Sequence, residues 1–124
     1  MEFRKRIVIG GSRHFQDYNI FCRLLDHCLE TELNGCNITI LSGHCSGVDR
    51  MAERFAEEHG IPLAVFPAEW ERYGRAAGPL RNRHMVEQCD GIIALWDGNS
   101  KGTKDLIATT RKLDKPLWIL NITT

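Results

Sequence analysis

Five short apolar runs punctuate the chain: Ile7-Val8-Ile9, Ile38-Thr39-Ile40-Leu41, Leu63-Ala64-Val65-Phe66, Ile92-Ile93-Ala94-Leu95-Trp96 and Leu117-Trp118-Ile119-Leu120. They are mostly continuous rather than alternating, the pattern of strands covered on both faces, as in a parallel sheet between helices. The stretches between them repeat at helical spacing. Phe21, Leu24, Leu25, Cys28 and Leu29 form one apolar stripe and predict a helix over Asp17–Leu33. Val48, Met51, Ala52, Phe55 and Ala56 predict a second from Val48 to His59, stopped by Gly60 and Pro62. A third is expected from Pro79, a residue suited to a first helical turn, to about Cys89. A fourth is expected from Lys104 to Leu113, before Pro116 opens the last strand. Strand–helix alternation throughout predicts right-handed crossovers and a three-layer α/β sandwich with a five-stranded parallel sheet. One stretch, Pro67 to Gly78, reads as a long irregular loop, and loops of that length in small domains are usually functional.

The 124 residues suit a single domain over 1–124, and no linker, repeat or low-complexity tract divides them. Lys plus Arg and Asp plus Glu number 16 each, so the net charge is zero and nucleic acid is not an expected partner. The basic run Arg4-Lys5-Arg6 reads as a solvated lead-in to the first strand. Five irregularly spaced cysteines without a CxxC argue against a disulfide framework and a zinc knuckle. The histidines show no ligand spacing, so no metal is expected, and nothing calls for a cofactor. No apolar stretch approaches membrane-spanning length and the first residues do not form a signal-peptide core, which makes the cytosol the expected compartment.

In a parallel α/β sheet, ligands bind beyond the carboxyl ends of the strands, so the strand-to-helix turns are where chemistry is expected. After the first strand come Gly10, Gly11, Ser12 and Arg13: glycines let backbone amides approach an anion, and Ser and Arg add donors. After the second come Ser42, Gly43, Gly47 and Asp49, running into a helix N-terminus. After the fourth come Gly98, Ser100, Gly102 and Thr103. Any one of these turns could use Gly and Ser for tight geometry alone; three on one edge point to an anion-binding edge. Neither GxxxxGK[ST] nor GxGxxG is present, which disfavours a P-loop NTPase and a common dinucleotide dehydrogenase. Gly43-His44-Cys45-Ser46-Gly47 matches a thiol version of the nucleophile elbow, but no histidine follows the fourth strand to complete a triad.

The third predicted helix carries Arg81, Asn82 and Arg83 near its start. Cations there oppose the helix dipole, so local stability does not account for them. A guanidinium fork clamping phosphate or carboxylate does, with a surface ion pair to Glu69 or Glu87 as the plainer alternative. Trp70 and Tyr73 are either satellite core or a lid that stacks on a base.

Several of these residues fall in a familiar order. Gly11-Ser12-Arg13 with Phe15 and Asp17-Tyr18, Ser42-Gly43 with Gly47-Val48-Asp49, Trp70 with Tyr73-Gly74, Ala77-Gly78-Pro79, Arg81-Asn82 with Met85, and Ser100 with Gly102-Thr103 together resemble the YspA-like family. That family belongs to the SLOG superfamily, named for its SMF/DprA and LOG members. The resemblance implies a Rossmann-like fold with strand order 3-2-1-4-5, a nucleotide-derived ligand, and dimers or larger assemblies. It also implies an activity seen in LOG relatives, N-glycosidic cleavage of nucleoside 5′-monophosphates. Arg81 resembles the arginine that acts there. The glutamate that should follow the Gly-Thr turn is replaced by Leu106, with Asp105 one residue short and rotated by about 100° on a helix.

Two functions follow as expectations. One is a sensing or binding module for a nucleoside monophosphate or an ADP-ribose type of ligand. The alternative is a phosphoribohydrolase in which Arg81 clamps the phosphate and Asp105 or Asp49 steadies the ribose.

Overall fold

A computed structural model describes residues 4–122, so the extreme ends of the expected 1–124 domain lie outside the described residues. In chain order the elements are β1 (Arg4–Gly11), α1 (Tyr18–Glu32), β2 (Asn37–Ser42), α2 (Val48–His59), β3 (Leu63–Val65), α3 (Trp70–Tyr73), α4 (Ala77–Gln88), β4 (Gly91–Trp96), α5 (Lys101–Lys112) and β5 (Leu117–Asn121). A 3-10 turn, Gly74–Ala76, joins α3 to α4. The strands form one parallel sheet in the order β3-β2-β1-β4-β5, the Rossmann-like arrangement expected.

The continuous apolar runs do what their pattern predicts at the sheet centre. Ile7 and Ile9 of β1 face a core with Phe21 and Leu25 of α1 and Val48 and Phe55 of α2. Val8 faces the opposite core with Leu41, Met85 and Val86 of α4, and Leu106 and Ile107 of α5. Each large side chain withdrawn from water here contributes roughly 1.5–3 kcal/mol, so the two cores fix which helices lie on which face. Local signals set the helix ends. Asp17 caps α1 by accepting from the Ile20 amide at 3.1 Å, Ser100 caps α5, and Gly60 ends α2 in the left-handed conformation.

Four expectations need correction. β3 is an edge strand of three residues, with Leu63 and Val65 each 40% exposed, so an apolar run here does not mean cover on both faces. The stretch from Pro67 to Gly78 is largely helical rather than irregular; α3 and the 3-10 turn occupy it, and α4 begins at Ala77. α5 starts at Lys101 because the Ser100 hydroxyl is available to cap it. Arg4, Lys5 and Arg6 are strand residues paired with Asn37, Ile38 and Thr39, not a solvated lead-in.

Because β2 and β3 lie on one side of β1 and β4 and β5 on the other, the chain reverses direction across the sheet between β3 and β4. The crevice at the C-terminal ends of β1 and β4 is the place this topology offers to a ligand.

Candidate functional site

Three turns meet at that crevice. The β1 turn brings Gly10, Gly11 and Arg13, and the β2–α2 turn brings Cys45 and Asp49. The start of α5 brings Ser100, Gly102 and Thr103, and α4 supplies Arg81, Asn82 and Met85 from one side. The enclosed part of the cleft they line is small, ≈ 30 Å³.

It is small because the protein's own groups reach into it. Asp49, in the first turn of α2, is 7% exposed. Its carboxylate accepts from the Cys45 amide at 3.1 Å and from the Gly11 amide. Burial raises its pKa from 3.8 to about 6, although those two amides and the nearby Arg81 guanidinium pull the other way. Backbone donors expected to meet a ligand anion are thus engaged by an internal carboxylate. Arg81 lies alongside. Its Nη1 donates to the Gly43 carbonyl, its Nη2 lies 3.5 Å from Cys45 Sγ, and its Nε donates to Asn82 Oδ1 at 2.9 Å. Asn82 in turn donates to Asp105 Oδ2 at 2.9 Å and to the Gly102 carbonyl at 3.3 Å, tying α4 to α5.

Gly43 is buried against this cluster. A Cβ there would stand 2.6 Å from Arg81 Nη1 and 3.0 Å from Asp49 Oδ2, so only a glycine lets the guanidinium reach the turn. The surface ion pair that competed as an explanation goes to a neighbour instead: Arg83 faces Glu87 at 3.7 Å and Glu69 faces Arg72 at 3.6 Å.

Other residues expected at the site serve the scaffold. Ser12 is 1% exposed; its hydroxyl accepts from the Asp97 amide at 3.1 Å and its carbonyl from the Val48 amide. Ser42 is fully buried, its hydroxyl 2.8 Å from Glu53 Oε2, a carboxylate that also holds His44 Nδ1 at 2.9 Å. Gly47 has φ 75° and packs against the Ser12 and Arg13 carbonyls. Gly98, with φ 86°, belongs to the turn in which Asp97 accepts from the Asn99 and Ser100 amides. Trp70 lies over Gly78, away from the cleft. Ser12, Ser42, Gly47 and Gly98 are thus engaged by the hydrogen bonds and close contacts of the turns themselves.

Three lining residues, Cys45, Met85 and Leu106, were not among the expected ligand contacts, and Cys45 was weighed only as an elbow nucleophile. Met85 was legible only through its place after Arg81, and Leu106 only as the replacement for a glutamate. Leu106 Cδ2 approaches within 3.1 Å of where a Gly10 Cβ would stand, so the position that resembles a catalytic carboxylate presents an apolar group to the cleft. Asp105 instead faces Asn82. Among the described residues no group of three His, Cys, Asp or Glu side chains is placed to hold a metal ion, and no helix is long and apolar enough to cross a membrane.

The fold has solved counterparts. DNA processing protein A (DprA) of Streptococcus pneumoniae superposes with a TM-score of 0.69 at 18% identity, over 93% of this chain and 50% of that one. DprA of Helicobacter pylori gives 0.61 at 18% identity, over 93% of this chain and 64% of that one. This chain therefore spans about half to two thirds of those proteins. The Helicobacter structure describes a single-stranded DNA binding mode for that protein, and this corrects the expectation that nucleic acid is not a partner. Net charge does not decide the matter for this chain, because it averages over all residues while Arg13, Arg81 and two helix N-termini gather at one edge.

Gene 61 protein of Mycobacterium phage D29 is 29% identical over 120 residues, covering 91% of this chain and 94% of that protein. The family model described as "YspA, cpYpsA-related SLOG family" matches residues 5–73. That match takes in β1 through α3, including the Gly10–Arg13 and Ser42–Asp49 turns, and the chain belongs to this YspA, cpYpsA-related SLOG family.

Proposed function

We propose that this chain binds a phosphate-bearing, nucleotide-type ligand at the crevice between β1 and β4, as a binding or sensing module. The observation that carries the reading is Arg81: a guanidinium held at the meeting point of three turns, bonded to a backbone carbonyl, a thiol and the Asn82 amide oxygen rather than to a carboxylate. Such an arginine gains by exchanging those neutral acceptors for phosphate oxygens, because charge-assisted bonds are about twice as strong. In the first turn of α5 the Ser100 cap already holds the Thr103 amide, so the donor this turn adds beside Arg81 is the Gly102 amide. Asp49 uses part of its acceptor capacity on two amides and keeps the rest for a sugar hydroxyl.

A nucleotide within a single strand presents the same phosphate and sugar as a free one. The likeness to Helicobacter DprA makes single-stranded DNA the second source to test. The phosphoribohydrolase alternative has less support, since the cleft offers Leu106 where a carboxylate is required.

Isothermal titration with ribose 5-phosphate, nucleoside 5′-monophosphates and a short oligothymidylate tests the reading. Arg81→Ala should weaken binding of each by about 1.5–3 kcal/mol. Unchanged affinity in a folded variant would remove Arg81 from the site. Release of free base from any monophosphate would favour the enzyme.

A further inference from the structure

The glycine-turn cleft cannot hold more than the anionic end of such a ligand, and the rest of the molecule needs a place. A second concavity of ≈ 580 Å³ lies on the other side of Arg81. It opens at the C-terminal end of β3, between α3 and α4, and is lined by Val65, Phe66, Tyr73, Leu80, Arg81 and His84 among others. The two share Arg81 as a common wall.

Its surface is unusual for a water-facing groove. Val65 is 40% exposed, Tyr73 42% and Leu80 47%, and these side chains converge where β3 leaves the sheet edge uncovered. The Phe66 ring meets the His84 ring edge-on, 5.2 Å between centroids, making a firm aromatic floor. Large apolar groups normally seek cover, and their convergence beside a charged anchor marks a place for a flat apolar partner with polar edges. Its volume falls within the range of pockets that take small organic ligands.

We infer that this groove is the nucleobase subsite: the ligand's phosphate meets Arg81 on the cleft side, and its base lies between Tyr73 and Leu80 with its edge toward His84. This rests on the anion reading above and adds to it where the rest of the ligand goes. Stacking on an aromatic ring tolerates any base, so the groove confers preference for a nucleotide over a bare sugar phosphate more than for one base over another.

The test compares adenosine 5′-monophosphate with ribose 5-phosphate by isothermal titration, on the wild type and on Tyr73→Ala. The exposure of Tyr73 makes the substitution tolerable to the fold. The wild type should bind the nucleotide more tightly than the sugar phosphate. Tyr73→Ala should reduce nucleotide affinity roughly 5- to 100-fold while leaving ribose 5-phosphate unchanged. Leu80→Ala, on the opposite side of the groove, should act in the same direction. Equal affinity of the wild type for the two ligands, or an unchanged affinity ratio in both variants, overturns the base subsite and leaves the anion site standing. Failure of both ligands to bind the wild type defeats both readings.

Discussion

Asp49 shows how one buried side chain couples the site to the stability of the fold. Its pKa in the folded protein, about 6, lies above the ordinary 3.8 because burial disfavours the charged form more than two amides and Arg81 favour it. A raised acid pKa means that the folded state holds the proton more tightly than the unfolded state does. Asp49 therefore supports folding at low pH, and that support is lost as pH rises from about 4 to 6. At 1.36 kcal/mol per unit, the difference amounts to about 3 kcal/mol. Urea unfolding across this range should show Asp49→Asn gaining stability relative to the wild type as pH increases, with no further divergence above about pH 7. Parallel curves would mean that the carboxylate is better solvated than its burial implies. Gly43 makes the complementary case. In Gly43→Ala the new methyl group would displace the Arg81 guanidinium, the flexible end of a side chain, more readily than backbone. Ligand affinity should therefore fall nearly as far as in Arg81→Ala, while melting temperature changes little. A stability loss with intact affinity would place Arg81 elsewhere in the bound state.

At the scale of elements, the β2–α2 turn carries more of the architecture than its small residues suggest. Gly47 precedes α2 with φ 75°, and a Cβ there would lie 2.3 Å from the Ser12 carbonyl oxygen and 2.5 Å from that of Arg13. Neither is a movable side chain, and the Ser12 carbonyl also accepts the Val48 amide at the helix start. Gly47→Ala should therefore cost more than about 2 kcal/mol in chemical denaturation, from backbone strain and a broken junction between the β1 turn and α2. A smaller cost would show that the two turns can separate. The α4 boundary teaches a different lesson. Pro79 marked the helix start from sequence, but Ala77 and Gly78 already belong to it, so Arg81 sits in its second turn, where the guanidinium can reach back across to Gly43.

At the scale of the molecule, the sheet order brings turns far apart in sequence to one edge and leaves the β3 edge bare beside them. Together they describe a site with a charged inner end and an apolar outer end, joined at Arg81. The alternation of strands and helices was legible in the sequence because hydrophobic burial writes itself into period and run length, whereas the strand order was implied by the family resemblance. Gly10, Gly11, Arg13, Asp49, Arg81, Asn82, Ser100, Gly102 and Thr103 were also legible as neighbours, because parallel topology confines strand-to-helix turns to one edge. Ser12, Ser42, Gly47 and Gly98 were grouped with the ligand contacts by the same logic but are engaged by the turns themselves, and Trp70, read as satellite core or a stacking lid, lies against Gly78. A residue type in a turn does not say whether its donors face inward to the chain or outward to a guest.

The amino-acid sequence alone determined the class of fold, the family resemblance and the edge at which the glycine-bearing turns gather, since these depend on local periodicity and on residues close together in the chain. Only the tertiary structure decided that Asp49 occupies two of the amides, that Arg81 closes the cleft against Gly43, and that a wide groove opens beyond it. Those facts depend on distances between atoms from different elements, and packing sets such distances only once the whole sheet is assembled.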